Sequence, residues 1–160
     1  MKRDYITQGH DSCCFVYAVA NCLVYLGLPV PDLQQCKEVA MCLQGATIGC
    51  REVVDFMKAP LIEERSAMRV LMYGGLLTIR HPIFNRHCMF VAPIEYPNNI
   101  LMVNSWLGPL MVDHVSAPEI MRFVMPKCTS HWVLHESKYS ALSEESASHP
   151  AIQRAITEED

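Results

Sequence analysis

The chain has 160 residues, of which 51% are hydrophobic and 19% are charged, and its formal net charge is −4. This length suits one domain with a substantial core, and the apolar content excludes wholesale disorder. The acidic balance, with no basic cluster longer than Lys2-Arg3, argues against a nucleic-acid partner.

The first residues, Met-Lys-Arg-Asp-Tyr, lack the apolar segment of a signal peptide, and this predicts a cytoplasmic, reducing setting for the eight cysteines. No apolar run reaches the roughly 18 residues of a membrane span, so no membrane association is expected. The cysteines form no Cys-x-x-Cys pair, and we expect no metal and no cofactor. The weaker metal-site candidates are His10, Asp11, His114, His131 and His135, of which only His131 and His135 have a ligand-like local spacing.

Residues 1–7 are predicted to form a loose arm, followed by a helix over about 13–26 that is apolar on nearly all sides. Ser12 is its predicted N-cap and Gly27 its predicted end. A second helix, about 32–43, begins with a capping box of Asp32 and Gln35 and ends at Gly45. Helical spacing also predicts helices from Thr47 to Met57 and over about 62–73.

After Gly74-Gly75 the pattern changes from helical to extended. The predicted strands are 76–80, 87–94, 100–104, 110–114 and 131–134, the last closing the sheet edge, and Pro118 begins a short helix over 117–123. This order predicts an α+β fold: a single domain over 1–135, with an α part at about 8–73 and a β part at about 75–135. Residues 136–160 are predicted to be a polar tail that is mobile or weakly helical.

A nucleophilic cysteine is expected where the first helix begins, because the unpaired N–H groups and the helix dipole there favour a thiolate. Cys14 is that residue, and Cys13 is its nearest rival. The alternative interpretation is that Cys14 is a buried structural cysteine.

Thiolate chemistry also needs a histidine that exchanges protons with the sulfur and the leaving group. The segments 87–94 and 100–104, separated by Pro97-Asn98-Asn99, predict a hairpin that brings His87 and Asn104 together. The Asn104 carbonyl would then hold the imidazole ring. His81 is the substitute if the strand is misplaced, and the alternatives are a structural histidine and a turn asparagine.

The order Gln8, Cys14, His87 and Asn104-Ser105-Trp106 resembles the papain-like cysteine peptidases, in which a Gln lies six residues before the catalytic Cys. The chain is also similar to the leader-peptide-processing peptidase domains of bacterial exporters, which share this spacing and a Tyr-Leu-Gly like Tyr25-Leu26-Gly27. The resemblance covers roughly residues 8–27 and 74–108.

The resemblance implies a papain-like fold, with the cysteine on a central helix and the histidine and asparagine on a twisted antiparallel sheet. It implies that Gln8 and the Cys14 N–H stabilise the oxyanion and that Trp106 shields the His87–Asn104 bond. Gly9 permits an unusual backbone shape in the loop. Three departures from papain mean that papain's substrate preference does not carry over: Phe15 in place of Trp, Asp11 in place of a disulfide cysteine, and a short segment at 107–109.

The leading hypothesis is a small cysteine peptidase that cleaves a peptide or isopeptide bond in a peptide or protein substrate. The same Cys-His-Asn set would also serve an acyltransferase, which passes the acyl group to an amine or a thiol. A papain-fold binding module with little or no turnover is a third hypothesis. The sequence specifies neither the substrate side chains nor the oligomeric state.

Overall fold

The computed structural model describes residues 4–7, 13–42, 47–81, 85–104, 111–124, 126 and 128–135. The helices and strands of this part of the chain are, in order, α1 (Cys14–Leu26), α2 (Leu33–Cys42), α3 (Thr47–Phe56), β1 (Leu61–Glu63), α4 (Ala67–Tyr73), β2 (Gly75–His81), β3 (Asn85–Glu95), β4 (Asn99–Asn104), β5 (Met111–Val115), α5 (Ala117–Phe123) and β6 (Cys128–Leu134). The predicted tail from 136 to 160 lies outside the described residues, as does Gly45, the predicted end of α2.

The strands form one antiparallel six-stranded sheet in the order β1-β6-β2-β3-β4-β5. The sheet and the helices together confirm the predicted α+β class. The predicted hairpin is also present, since β3 and β4 pair with Phe90 opposite Val103 and Val91 opposite Met102. None of the helices in the described ranges is long and apolar enough to cross a bilayer.

The prediction of a helix over about 62–73 is wrong in its first part. Leu61–Glu63 is the short strand β1, which pairs with β6, and the helix begins only at Ala67, after Ser66 at its N-cap. The acidic and basic residues that follow Ile62 suit a helix, but pairing with a distant strand determines the backbone conformation here. Local propensity is overridden by tertiary contact.

The predicted position of the last strand is also wrong. β6 does not close the edge of the sheet but lies between β1 and β2. Both faces of the sheet are covered at β6, so Trp132 and Val133 are buried. β1 and β5 are the outermost strands of the described sheet.

Helices cover both faces of the sheet. One face carries Leu76, Phe90 and Leu101, which share a core with α1, and the rings of Tyr25 and Phe90 lie 5.2 Å apart. Side chains alternate along a strand, so the neighbouring Leu77, Val91 and Ile100 face the other side, where residues of α4 and α5 pack against them. The resulting three layers bury α1 deeply, as its apolar sequence predicts.

The ends of α1 differ in how well they match the prediction. Cys13 rather than Ser12 is the N-cap of α1, with no side-chain capping bond, and Ser12 itself lies outside the described residues. Gly27 ends the helix as expected: its φ of 71° is left-handed, and its N–H contacts the carbonyls of Leu23 and Val24. The helix therefore presents Cys14 as its first residue.

The Asp32 half of the capping box predicted for α2 is also present. The Asp32 side chain accepts from the backbone N–H of Gln34 at 2.8 Å and from that of Gln35 at 3.2 Å. These bonds satisfy amide groups that the first turn leaves without helical acceptors.

Candidate active site

Cys14 stands at the N-terminus of the central helix and is partly exposed, as is Cys13 before it. By contrast, Cys22, Cys36 and Cys88 are buried. A reactive cysteine must be accessible both to its general base and to its substrate. Solvent exposure therefore distinguishes the two cysteines at the start of α1 from these three.

Three other thiols have raised pKa values. Burial raises the pKa of Cys22, and burial together with the Asp32 carboxylate raises the pKa of Cys36. Burial also raises the pKa of Cys128 to about 11. These three thiols stay protonated at neutral pH and are poor nucleophiles.

His87 and Asn104 are in direct contact. The Nε2 atom of His87 lies 2.5 Å from the Oδ1 atom of Asn104, and the His87 side chain is only 3% exposed. A carbonyl oxygen only accepts, so Nε2 carries the proton and donates it to Asn104. The predicted approach of these two side chains is confirmed, although their chemical roles stay predictions.

Cys88 connects this pair to the start of α1. It follows His87 on β3, and burial raises its pKa well above the ordinary range. Negative charge on Cys14, and to a smaller extent on Cys50, raises that pKa further, while a hydrogen bond from the Thr78 side chain opposes the increase. Cys14 and Cys50 also pack against the core cluster that contains Cys88. Cys14 on α1, Cys50 on α3 and Cys88 on β3 therefore belong to the same core region.

Phe15, the residue after Cys14, connects the helix start to β6. Its ring meets that of Trp132 edge to face, with 5.8 Å between centroids and 63° between planes. This geometry is a favourable aromatic arrangement. It fixes the direction in which α1 enters the core beside β6.

Asn21 makes a buried contact that the sequence analysis did not predict. It is fully buried in α1, its Oδ1 atom accepts from the Ile6 N–H at 2.6 Å, and its Nδ2 atom donates to the Ile6 carbonyl at 3.2 Å. The amide thus holds the chain two residues before Gln8. The sequence could have indicated this contact, because a single amide side chain inside an apolar helix needs buried hydrogen-bond partners.

Several predicted site residues lie outside the described part of the chain, namely Gln8, Gly9, Trp106 and the metal-site candidates His10 and Asp11. Of His81, the structure describes the backbone at the end of β2. No group of three or more potential metal ligands occurs among the described residues. Within that part, His114 contacts the Asn99 side chain and His131 contacts the Glu64 carbonyl.

Comparison of the chain with protein-family models, with curated proteins and with solved structures finds no match in any of the three. The functional interpretation therefore rests on the residues and contacts of the site itself.

Proposed function

We propose that the chain is a small papain-like thiol hydrolase, a cysteine peptidase in which Cys14 is the nucleophile and His87 the general base and acid. Asn104 orients the imidazole. The observation that carries the proposal is the hydrogen bond between the buried His87 and Asn104.

In this proposal, the two imidazole nitrogens have different tasks. Because Nε2 donates to Asn104, the proposal gives Nδ1 the proton exchange with the Cys14 sulfur. Alternation along β3 turns Cys88 toward α1 and His87 toward the opposite face. Proton exchange therefore requires the imidazole to reach the Cys14 sulfur from the face opposite α1, and the effect of His87→Ala on Cys14 alkylation tests this.

In the proposed reaction, His87 takes the proton of the Cys14 thiol, and the sulfur forms a bond to the carbonyl carbon of the substrate. The carbonyl oxygen becomes an oxyanion, and collapse of the tetrahedral species breaks the C–N bond while His87 gives its proton to the leaving amine. The product is a thioester on Cys14. His87 then deprotonates a water molecule, whose oxygen attacks the thioester and releases the acid and the thiol.

The backbone N–H of Cys14 is suited to stabilise the oxyanion, because Cys14 is the first residue of α1 and the positive end of the helix dipole lies there. Gln8 would supply the second donor from its side chain. Loss of one such donor typically costs about 2.7–4 kcal/mol of transition-state stabilisation. The Asn21 contact with Ile6 supports this role by fixing the chain just before Gln8.

Alkylation with iodoacetamide, followed by peptide mass spectrometry, tests the nucleophile before any substrate is known. We expect Cys14 to react fastest at neutral pH, because burial holds Cys22, Cys36 and Cys88 protonated. The His87→Ala variant should slow alkylation of Cys14. The matched control is Cys13→Ser, which removes the neighbouring thiol and should leave Cys14 reactive.

Equal alkylation of all partly exposed cysteines, or a Cys14 rate that is unchanged in His87→Ala, would contradict the proposal. A reactive Cys14 with no turnover of peptide libraries would instead favour the binding module. Turnover that requires an added amine and yields an amide rather than an acid would identify an acyltransferase.

A further inference from the structure

Trp132 connects the first turn of α1 to the interior of the sheet. Its indole ring meets the ring of Phe15 edge to face, with 5.8 Å between the centroids. Phe15 is the second residue of α1 and directly follows Cys14. An aromatic pair in this arrangement is stabilised beyond the contribution of the area that it buries. The ring contact therefore holds the start of α1 against β6.

The two partners of this contact differ in how firmly the fold holds them. Trp132 is 4% exposed and lies on β6 between β1 and β2, opposite Glu63 on one strand and Leu76 on the other. A Cβ atom at Gly75 would lie 1.9 Å from the Trp132 carbonyl oxygen, which shows how closely β2 approaches this residue. Phe15 is partly exposed at the end of a helix, and helix ends fray. Trp132 is therefore the fixed support, and Phe15 is the residue that it holds.

The conformation of the first turn determines the surroundings of Cys14. The positive end of the helix dipole lies at Cys14 only while this turn is helical, and it favours a thiolate there. The bond that closes the turn runs from the Tyr17 N–H to the Cys13 carbonyl, at 3.3 Å. Phe15 lies within that turn. A contact that keeps Phe15 in place thus also keeps Cys14 in its helical position.

We infer that Trp132 is a positioning residue for Cys14 and acts through Phe15. The inference rests on the proposed peptidase function, since that function makes Cys14 the nucleophile. The role of Trp132 is to hold the first turn of α1, whereas the chemistry belongs to Cys14 and His87.

The test compares two substitutions of Trp132 in the full chain. Trp132→Phe keeps an aromatic ring next to Phe15, whereas Trp132→Leu keeps an apolar side chain but removes the ring. Hydrogen exchange of the Tyr17 N–H, followed by NMR, reports on the first turn. The rate of iodoacetamide alkylation reports on Cys14, and urea unfolding verifies that each variant is folded under the conditions of the assay.

We expect the Tyr17 N–H to exchange about 2- to 10-fold faster in Trp132→Leu, the factor that corresponds to the loss of an aromatic pair. Alkylation of Cys14 should slow by about twofold. Helix ends open at a free-energy cost near zero, so a weaker contact lowers the fraction of molecules with a helical first turn. Trp132→Phe should restore most of both losses.

Phe15→Leu removes the same ring contact from the other side, without a large change in the core. It should reproduce both effects of Trp132→Leu. The double variant Phe15→Leu/Trp132→Leu should lose no more than the larger of the two single variants, because the contact is already absent in each. Additive losses would show that the two residues act separately and would contradict the inference.

Val133→Ala is the matched control. Val133 follows Trp132 on β6 and is 3% exposed, but it packs in the cluster on the opposite face of the sheet from α1. Its truncation should lower the free energy of unfolding and leave both the Tyr17 exchange and the Cys14 alkylation unchanged. A merely structural role of β6 would instead give Val133→Ala and Trp132→Leu the same effects.

Unchanged exchange of the Tyr17 N–H in Trp132→Leu would overturn the inference. Faster alkylation of Cys14 would also overturn it, because the ring contact would then shield the thiol. The exchange measurement does not depend on the nucleophile. If Cys14 is alkylated selectively and His87→Ala slows the reaction, but Trp132→Leu changes neither rate, the positioning role fails and the peptidase proposal stands. If Trp132→Leu accelerates exchange but wild-type Cys14 is not selectively alkylated, the peptidase proposal fails, and Trp132 remains the support of the first turn.

Discussion

His87 on β3 and Asn104 at the end of β4 are joined by a hydrogen bond of 2.5 Å between Nε2 and Oδ1. The two residues belong to one hairpin, whose strands are held in register by pairs such as Phe90 with Val103. The sheet therefore determines where the imidazole lies. The second histidine–asparagine pair of the described sheet, His114 with Asn99 at 2.9 Å, is exposed and serves as a natural comparison.

Replacement of Asn104 by alanine is expected to slow iodoacetamide alkylation of Cys14 by about 10- to 100-fold. Hydrogen bonds to charged groups contribute roughly 1.5–3 kcal/mol, and the imidazolium that pairs with the thiolate would lose one. The rate of Cys14 alkylation as a function of pH measures the effect. We also expect the profile of the variant to change shape, because a less stable imidazolium gives up its proton at lower pH.

The control for this prediction is Asn99→Ala, which removes the acceptor of His114 on β5 and lies at the opposite end of β4 from Asn104. It should leave the alkylation of Cys14 unchanged. If both variants slow the reaction equally, the effect comes from a weakened hairpin, and Asn104 has no orienting role.

Asn21→Ala is expected to lower the free energy of unfolding by about 2–3 kcal/mol. The substitution removes two hydrogen bonds to the Ile6 backbone from a fully buried position, and each contributes roughly 1 kcal/mol. Urea unfolding followed by circular dichroism measures the loss.

The same substitution should also separate two reactions of Cys14. Hydrolysis of an activated ester passes through an oxyanion, whereas alkylation by iodoacetamide does not. If the Asn21 contact positions Gln8, then Asn21→Ala and Gln8→Ala should both slow ester hydrolysis and leave alkylation unchanged. Leu23→Ala is the control: it creates a cavity in the same helix and lowers stability, so an equal loss of ester hydrolysis there would argue against a positioning role.

The parts of the fold that follow from local sequence were predictable. The apolar run that ends at Gly27 predicted α1, and the turn at Pro97-Asn98-Asn99 predicted the hairpin that brings His87 and Asn104 together. β1 was not predicted because three residues are too few to show the alternation of apolar and polar residues that is typical of a strand. Their conformation depends on pairing with β6, about seventy residues later. The interior position of β6 follows from that same pairing.

The candidate site also contains one contact that local sequence predicts and others that depend on distant segments. The His87–Asn104 contact is local to one hairpin, so alternation and turn chemistry were sufficient to predict it. The approach of Cys14 to Cys88 depends on how α1 packs across the sheet, which no spacing in the sequence encodes. The partner of Asn21 also belongs to a different segment of the chain. The sequence therefore indicates that Asn21 has a buried hydrogen-bond partner but does not identify that partner as Ile6.

The wild-type chain is expected to lose stability above about pH 9, and Cys22→Ala should reduce that loss. The pKa of Cys22 is higher in the folded chain than in the unfolded chain, where a thiol has its ordinary value of about 8.5. The unfolded state therefore releases its proton first as the pH rises, and this favours unfolding. The stabilising contribution is complete below the ordinary pKa and disappears above it.

For one buried thiol, the loss approaches about 1.4 kcal/mol per pH unit above the ordinary pKa. Urea midpoints at pH 8 and pH 10, in the presence of a reducing agent, measure it. Val19→Ala is the control: Val19 is buried in the same helix, and its truncation should lower stability by the same amount at both pH values. A stability difference between wild type and Cys22→Ala that does not depend on pH would contradict the assignment.

Gly75→Ala is expected to destabilise the fold by about 3 kcal/mol or more, whereas Gly27→Ala should cost about 1–2 kcal/mol. Both residues have positive φ, 155° at Gly75 and 71° at Gly27, so conformational strain alone does not separate them. A Cβ atom at Gly75 would lie 1.9 Å from the Trp132 carbonyl oxygen, while nothing lies within 4 Å of one at Gly27. The obstacle is backbone, so β6 would have to move away from β2. Urea unfolding of the two variants measures the difference, and equal losses would mean that β6 shifts easily.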